Sequence, residues 1–102
     1  IKMKEKSHRM EKINSLLKKE ISDIIFHEYE IGQENFITIS VIDTKADLSQ
    51  ADVYVSALKD EDKIVEALNK ESGHIRHILG KKIRMKKTPK LIFKKDIFKL
   101  QI

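Results

Sequence analysis

The sequence has no cysteine and no tryptophan, and only one proline, three glycines and six aromatic residues among 102 positions. Without cysteine there can be no disulfide staple, thiolate nucleophile, iron–sulfur cluster or Cys-type zinc site, so stability has to come from packing. Apolar runs stop at three residues, as in Ile24-Ile25-Phe26, far short of the roughly 20 that cross a bilayer. The N-terminus has no apolar signal segment, and a soluble, cytoplasmic protein with no membrane contact is expected. The chain opens on Ile1 rather than on an initiator Met, as a trimmed or partial version of a gene product would. Neither G-x-x-x-x-G-K-[ST] nor G-x-G-x-x-G occurs, so nucleotide-driven chemistry has no support. At this length a single domain over residues 1–102 is expected, which excludes an enzyme with separate cofactor and substrate domains.

What the chain does have is charge, unevenly placed. Lys and Arg number 21 against 16 Asp and Glu, a formal +5. Residues 1–30 carry +1, residues 31–69 carry −5, and residues 70–102 carry +9. A charge run ordinarily solvates a surface, but so many cations in one third of a small domain are the footprint of a polyanion-binding face.

The apolar positions Met10, Ile13, Leu17, Ile21 and Ile24 recur at three- and four-residue steps. They predict an amphipathic helix over roughly 7–29, capped by Ser7 and stopped at Gly32, with residues 1–6 as a flexible basic arm. Asn35–Asp43 alternates as a strand, with Ile37, Ile39 and Val41 on one face. Ala51–Leu58 forms a second, and the polar loop between them makes an antiparallel hairpin. Asp60 is placed to cap a helix carrying Ile64, Val65 and Leu68. Ser72-Gly73 interrupts that helix before Ile75, Ile78, Leu79 and Ile83 begin another, because glycine costs about 1 kcal/mol inside a helix. After Pro89, Lys90–Phe98 supplies a third strand with Leu91, Phe93 and Ile97 on one face. The order is α-β-β-α-α-β, an α+β chain.

This order is the one used by type II KH-like domains, a three-stranded mixed sheet with helices packed on one face. The stretch Ser72-Gly73-x-Ile75-Arg76-x-x-Leu79-Gly80-Lys81, followed by Pro89-x-Leu91-x-Phe93-x-x-Asp96, resembles the C-terminal half of the bacterial ribosome-binding factor A family. Asp47-Leu48-x-x-Ala51-x-Val53-Tyr54-Val55 and Lys19-Glu20-Ile21 are similar to its hairpin and first helix. The resemblance covers about residues 9–98. It implies a small non-enzymatic factor, with no cofactor, that binds the assembling small ribosomal subunit, assists maturation of its rRNA and matters for growth at low temperature. The G-x-x-G loop of generic KH domains is absent, as it is in that family, which has an Ala-x-Gly kink between its helices. Here the triplet is Glu71-Ser72-Gly73, and a continued helix would turn the Glu71 carboxylate to the apolar face. Either the kink turns it to water or a base pairs with it. The family's Asp-Pro-Arg after the first helix is replaced by Glu30-Ile31-Gly32.

On a helical wheel Ile75, Ile78, Leu79 and Ile83 share an arc, while Arg76, His77, Lys81, Arg84 and Lys87 fall opposite, able to follow phosphates. Lys82 and Lys86 fall at the apolar arc, so they snorkel or the helix ends near Met85. Lys86, Lys87 and Lys90, then Lys94 and Lys95, extend the positive zone onto the third strand. The expected RNA contacts are therefore Arg76, His77, Lys81, Arg84, Lys86, Lys87, Lys90, Lys94 and Lys95. Most of the aromatic residues sit on faces a core should claim. Recognition of rRNA through its backbone, with little base readout, is expected of a monomer. The acidic middle would face away from RNA or meet a basic ribosomal protein.

His74 and His77 lack a third convergent ligand, so no metal site is expected. Asp43, Asp47 and Asp52 read as hairpin vocabulary rather than a nuclease magnesium site. The rival to RNA binding is a protein-interaction module that uses the basic face on an acidic partner.

Overall fold

The computed structural model describes residues 2–97, with side chains from residue 8 onward. Seven elements follow one another: α1 (Lys2–Glu28), α2 (Glu30–Glu34), β1 (Thr38–Thr44), β2 (Gln50–Ser56), α3 (Glu61–Lys70), α4 (Ser72–Lys82) and β3 (Lys90–Lys95). The sheet order is β1-β2-β3. β1 runs antiparallel to β2, with Thr38 opposite Ser56 and Thr44 opposite Ala51. β3 runs parallel to β2, with Gln50 opposite Lys90 and Val55 opposite Lys95. This is the mixed three-stranded KH-like sheet, with a short extra helix, α2, between the first helix and the hairpin.

One face of the sheet is dry. Ala51, Val53 and Val55 of β2 and Leu91 and Phe93 of β3 are at most 1% exposed, and they pack with Leu17, Ile21 and Ile24 of α1, Leu68 of α3, and Ile75 and Leu79 of α4. The alternate β2 residues Gln50, Asp52, Tyr54 and Ser56 are only half-buried, so the helices cover one side and leave the other open. Two polar clamps fix layers to each other. The Thr44 hydroxyl donates to Asn14 Oδ1 at 2.6 Å, tying β1 to α1. The Asn69 side-chain amide of α3 donates to Phe93 O at 2.9 Å and accepts from Phe93 N at 2.8 Å, filling the free edge of β3 as a neighbouring strand would.

Several local expectations are corrected. α1 begins at Lys2, so Ser7 lies within it rather than capping it, and residues 2–6 of the expected basic arm are helical, Ile1 lying outside the described residues. Gly32 does not stop α1. It sits buried inside α2, where a Cβ would lie 2.3 Å from the Ile25 carbonyl oxygen, so its role is to let α2 press on the α1 backbone. β1 starts at Thr38 because Phe36 takes a left-handed backbone (φ 48°) that ends extended pairing. A bulge between Ile39 and Val41 then shifts the alternation by one, burying Ile42 and turning Val41 outward. Asp60 is itself left-handed (φ 59°) and makes no side-chain cap. The break between α3 and α4 falls at Glu71, whose N–H bonds to the carbonyls of Ala67 and Leu68, while Gly73 lies in the first turn of α4. β3 ends at Lys95, leaving Ile97 71% exposed, and Phe98 lies outside the described residues.

Candidate nucleic-acid interface

The α4 helix buries Ile75 and Leu79 and presents Gly73, Arg76, His77, Gly80 and Lys81 on its other side. These positions follow a three- and four-residue rhythm, so they form one stripe. With Thr88 they line a shallow depression of about 500 Å³, open to solvent. The two glycines leave the floor bare, and Arg76, His77 and Lys81 supply the donors. Pairing bare backbone with cations suits a phosphate chain, which needs close approach and charge together. Gly73, Gly80 and Thr88 were not among the expected contacts. The seven-residue spacing of the glycines on the Arg76 face is the sequence signal that marks them.

α4 ends at Lys82, and Ile83 is already extended (φ −116°, ψ 149°). Arg84, Lys86 and Lys87 therefore belong to the following loop and not to the helix face on which the wheel placed Arg84 and Lys87. That loop is pinned at both ends. Ile83 N–H donates to Leu79 O at 3.0 Å, and the Ile83 side chain is 8% exposed. At the other end Pro89 is fully buried, and Lys90 N–H donates to Ser49 O at 3.0 Å. Between these points Arg76 donates from Nε and Nη2 to Thr88 O at 3.1 and 2.8 Å. Arg76 is thus a brace for the loop as well as a residue lining the depression. Arg84, Lys86 and Lys87 are exposed on a segment whose ends are fixed, which reduces the ordering cost of meeting a ligand.

Residues 76–90 contain seven basic side chains and no acidic one. Among the described residues, Lys81, Lys82, Arg84, Lys86 and Lys90 make no ion pair. Lys87 faces Asp47, whose carboxyl lies below its ordinary range because the Ser49 hydroxyl and N–H both donate to it, with Lys87 and Lys45 adding attraction. Lys90 alternates with the buried Leu91 and faces the open side of the sheet, so the cationic band turns a corner from α4 through the loop.

Lys94 and Lys95 do not join this band as a pair. Lys94 reaches over the open sheet face to Asp52 Oδ2 at 3.1 Å and lies 5.9 Å from the Tyr54 ring centroid. Burial pushes the Asp52 carboxyl up, but the bonds from Gln50 and Lys94 outweigh it and hold the group below its ordinary range. The hydrogen bond from Lys94 to Asp52 correspondingly raises the lysine. Lys95 pairs with Asp62 at 3.4 Å, on the helix side. Adjacent strand residues point to opposite faces, which separates the two lysines.

Glu71, left open by the sequence, has both proposed fates. Its side chain is 49% exposed, accepts a hydrogen bond from the Tyr29 hydroxyl at 3.2 Å, and lies 3.8 Å from His74 Nδ1. Tyr29 also lies 2.9 Å from His74 Nδ1, and its partial burial together with Glu71 pushes the phenol up to about 12. His74 is thus engaged at the helix break while His77 lies on the depression. Among the described residues no three His, Asp or Glu side chains converge to hold a metal.

The aromatic residues lie less deep than expected. Among the described ones only Phe93 is buried, Tyr29 and Tyr54 are half-buried, and Phe26 and Phe36 are 52% and 69% exposed. Phe36 precedes Thr38, which pairs with Ser56 at the sheet end opposite Lys90, so this exposed ring is no stacking platform for the cationic band.

Sheet order, helix layer and cationic edge define a KH-like α+β module with a surface suited to ribose-phosphate chains. A family model described as Ribosome-binding factor A matches residues 9–99. The chain is 41% identical over 96 residues to Ribosome-binding factor A of Prochlorococcus marinus strain AS9601, covering 89% of this chain and 74% of that protein. It is 36% identical over 94 residues to the protein of that name from Halothermothrix orenii, covering 89% and 77%. The crystal structure of ribosome-binding factor A from Thermus thermophilus matches with a TM-score of 0.71 at 25% identity, over 80% of this chain and 90% of that one. A homology model of the Thermus protein, fitted into a cryo-EM map of a 30S complex, shares the fold at 24% identity with a TM-score of 0.68, over 79% and 88%. This chain belongs to the ribosome-binding factor A family.

Proposed function

We propose that this protein is a non-enzymatic assembly factor that docks as a monomer on the immature small ribosomal subunit and assists maturation of its rRNA. The observation that carries the reading is the band of unpaired cations on α4 and the pinned loop, in a chain whose relatives are ribosome-binding factors. The 30S complex of the Thermus protein supports the small subunit as the target. Contacts run chiefly to the RNA backbone through Lys81, Arg84, Lys86, Lys87 and Lys90, with Arg76 and His77 at the depression. Lys94 and Lys95 contribute less, because each already has a carboxylate partner. A bound factor shifts an RNA equilibrium only by as much as it prefers one conformation, so assistance here means tighter binding to one state of the particle. The site of action is the cytoplasm, where the subunit is assembled, and no cofactor is needed for binding of this kind.

The test is co-sedimentation with small-subunit particles of the wild type and of a Lys81→Glu, Arg84→Glu, Lys87→Glu variant. All three side chains are exposed, so the variant should fold. Loss of co-sedimentation is expected. Unchanged co-sedimentation would refute the assignment of these cations, and binding that survives ribonuclease digestion of the particle would move the basic face to an acidic protein partner.

A further inference from the structure

The cations gather at one end of the sheet, and the opposite end has a different character. There Leu58, Ile97 and Phe36 are 77%, 71% and 69% exposed, the three most exposed large hydrophobic side chains among the described residues. The strand register brings them to the same end: Thr38 pairs with Ser56, Leu58 N–H donates to Asn35 O at 3.5 Å, and Asp96 N–H donates to Val55 O at 2.9 Å. Single exposed apolar residues are ordinary, but three at one end of a small sheet are the kind of surface that binds a partner.

Phe36 adds a second observation. Its backbone is left-handed (φ 48°), a conformation that a bulky L-residue adopts at a conformational cost, and its ring nevertheless stands in water instead of in the core. Asp60, at the other side of the patch, is left-handed too (φ 59°). The surroundings are acidic. Residues 34–36, 57–63 and 95–97 hold five carboxylates against three lysines; Asp62 is paired with Lys95, while Glu34 and Asp60 are exposed and make no ion pair among the described residues.

We propose that this pole, centred on Phe36, Leu58 and Ile97 and rimmed by Glu34 and Asp60, docks a basic polypeptide segment that carries apolar anchor residues. Charge decides among the possible occupants. A nucleic acid or an anionic membrane would be repelled by the carboxylates, and a second copy would bring two acidic rims together. A cationic segment gains attraction at the rim while its apolar side chains cover the patch. The molecule then has two poles, one for RNA and one for a basic protein.

The probe is a fluorescein-labelled synthetic peptide of leucines interspersed among lysines, with an equally charged control in which serine replaces leucine. The full chain should bind the first peptide more tightly than the second. Amide shifts should move at residues 34–37, 57–62 and 97, and not at 76–90. Phe36→Ser with Leu58→Ser should weaken binding at least about tenfold, since two central anchors are lost. Should that variant fail to fold, Glu34→Lys with Asp60→Lys gives the same readout through the rim. The Lys81→Glu, Arg84→Glu, Lys87→Glu variant should keep peptide binding whether or not it keeps subunit binding, so the two proposals fail separately. Equal affinity for both peptides, shifts confined to the cationic band, or a dimer in sedimentation equilibrium that Phe36→Ser with Leu58→Ser abolishes would each overturn the proposal.

Discussion

Asn69 holds the edge of the strand that launches from the cationic loop, and the cost of removing it follows from geometry. Its amide makes two hydrogen bonds, at 2.8 and 2.9 Å, to the N–H and carbonyl of Phe93, a residue only 1% exposed. Each bond contributes about 1 kcal/mol net, and leaving buried backbone groups unsatisfied adds to this, so Asn69→Ala should cost about 2–4 kcal/mol. For a domain whose total stability is on the order of 5–15 kcal/mol, that is a large fraction. Urea unfolding followed by circular dichroism should show a midpoint lowered by about 1–3 M at unchanged slope. Asn69→Asp is the sharper control. Its carboxylate still accepts from Phe93 N–H but opposes the Phe93 carbonyl, so at neutral pH it should be no more stable than the alanine variant. A loss below about 0.5 kcal/mol for Asn69→Ala, the range of an ordinary surface change, would refute the clamp.

Three further outcomes are expected. Gly32→Ala places a Cβ 2.3 Å from the Ile25 carbonyl oxygen, and since backbone cannot yield cheaply, thermal unfolding should show a loss of about 1–3 kcal/mol or more. Gly80→Ala meets only the Thr88 hydroxyl, at 3.3 Å; stability should hold or rise by up to about 1 kcal/mol from helix propensity, while affinity for small-subunit particles falls because the depression fills. Tyr29, raised to about 12 in the fold, has an unfolded value near 10. The stabilisation it provides is complete below the unfolded value and disappears as pH climbs through the folded one. Phenolate absorbance should therefore show one of the two tyrosines titrating near 12, and Glu71→Gln should bring it down.

The hydrophobic rhythm made most of the fold legible. Leu17, Ile21 and Ile24, then Ala51, Val53 and Val55, then Ile75 and Leu79, fall on the buried faces their spacing demands. What escaped depends on contacts distant in sequence or on single backbone angles. The β1 bulge cannot be read from Ile39-Ser40-Val41, because it belongs to the pairing with β2. Ser40 Oγ donates to Asp96 Oδ2 at 2.6 Å, 56 residues away. Phe36 and Asp60 adopt left-handed angles that their side chains do not advertise. The candidate site was legible as a charge density but not as a surface. Helical counting carried Arg84 and Lys87 along α4, whereas the extended Ile83 ends it. Lys94 and Lys95 were counted together because they are neighbours, although the strand sends them to opposite faces. The service of Arg76 to Thr88 needed the loop to fold back, which periodicity does not show.

Fixed cations that meet phosphates release counterions, so binding through α4 and its loop must weaken as salt rises. Each phosphate contact to single-stranded RNA steepens the plot of log affinity against log salt by about 0.7. When labelled protein is titrated with small-subunit particles over a range of potassium chloride, the charge-removing variant Lys81→Ala, Arg84→Ala, Lys87→Ala should give a line shallower than wild type by about 2. Parallel lines for the two proteins would contradict it.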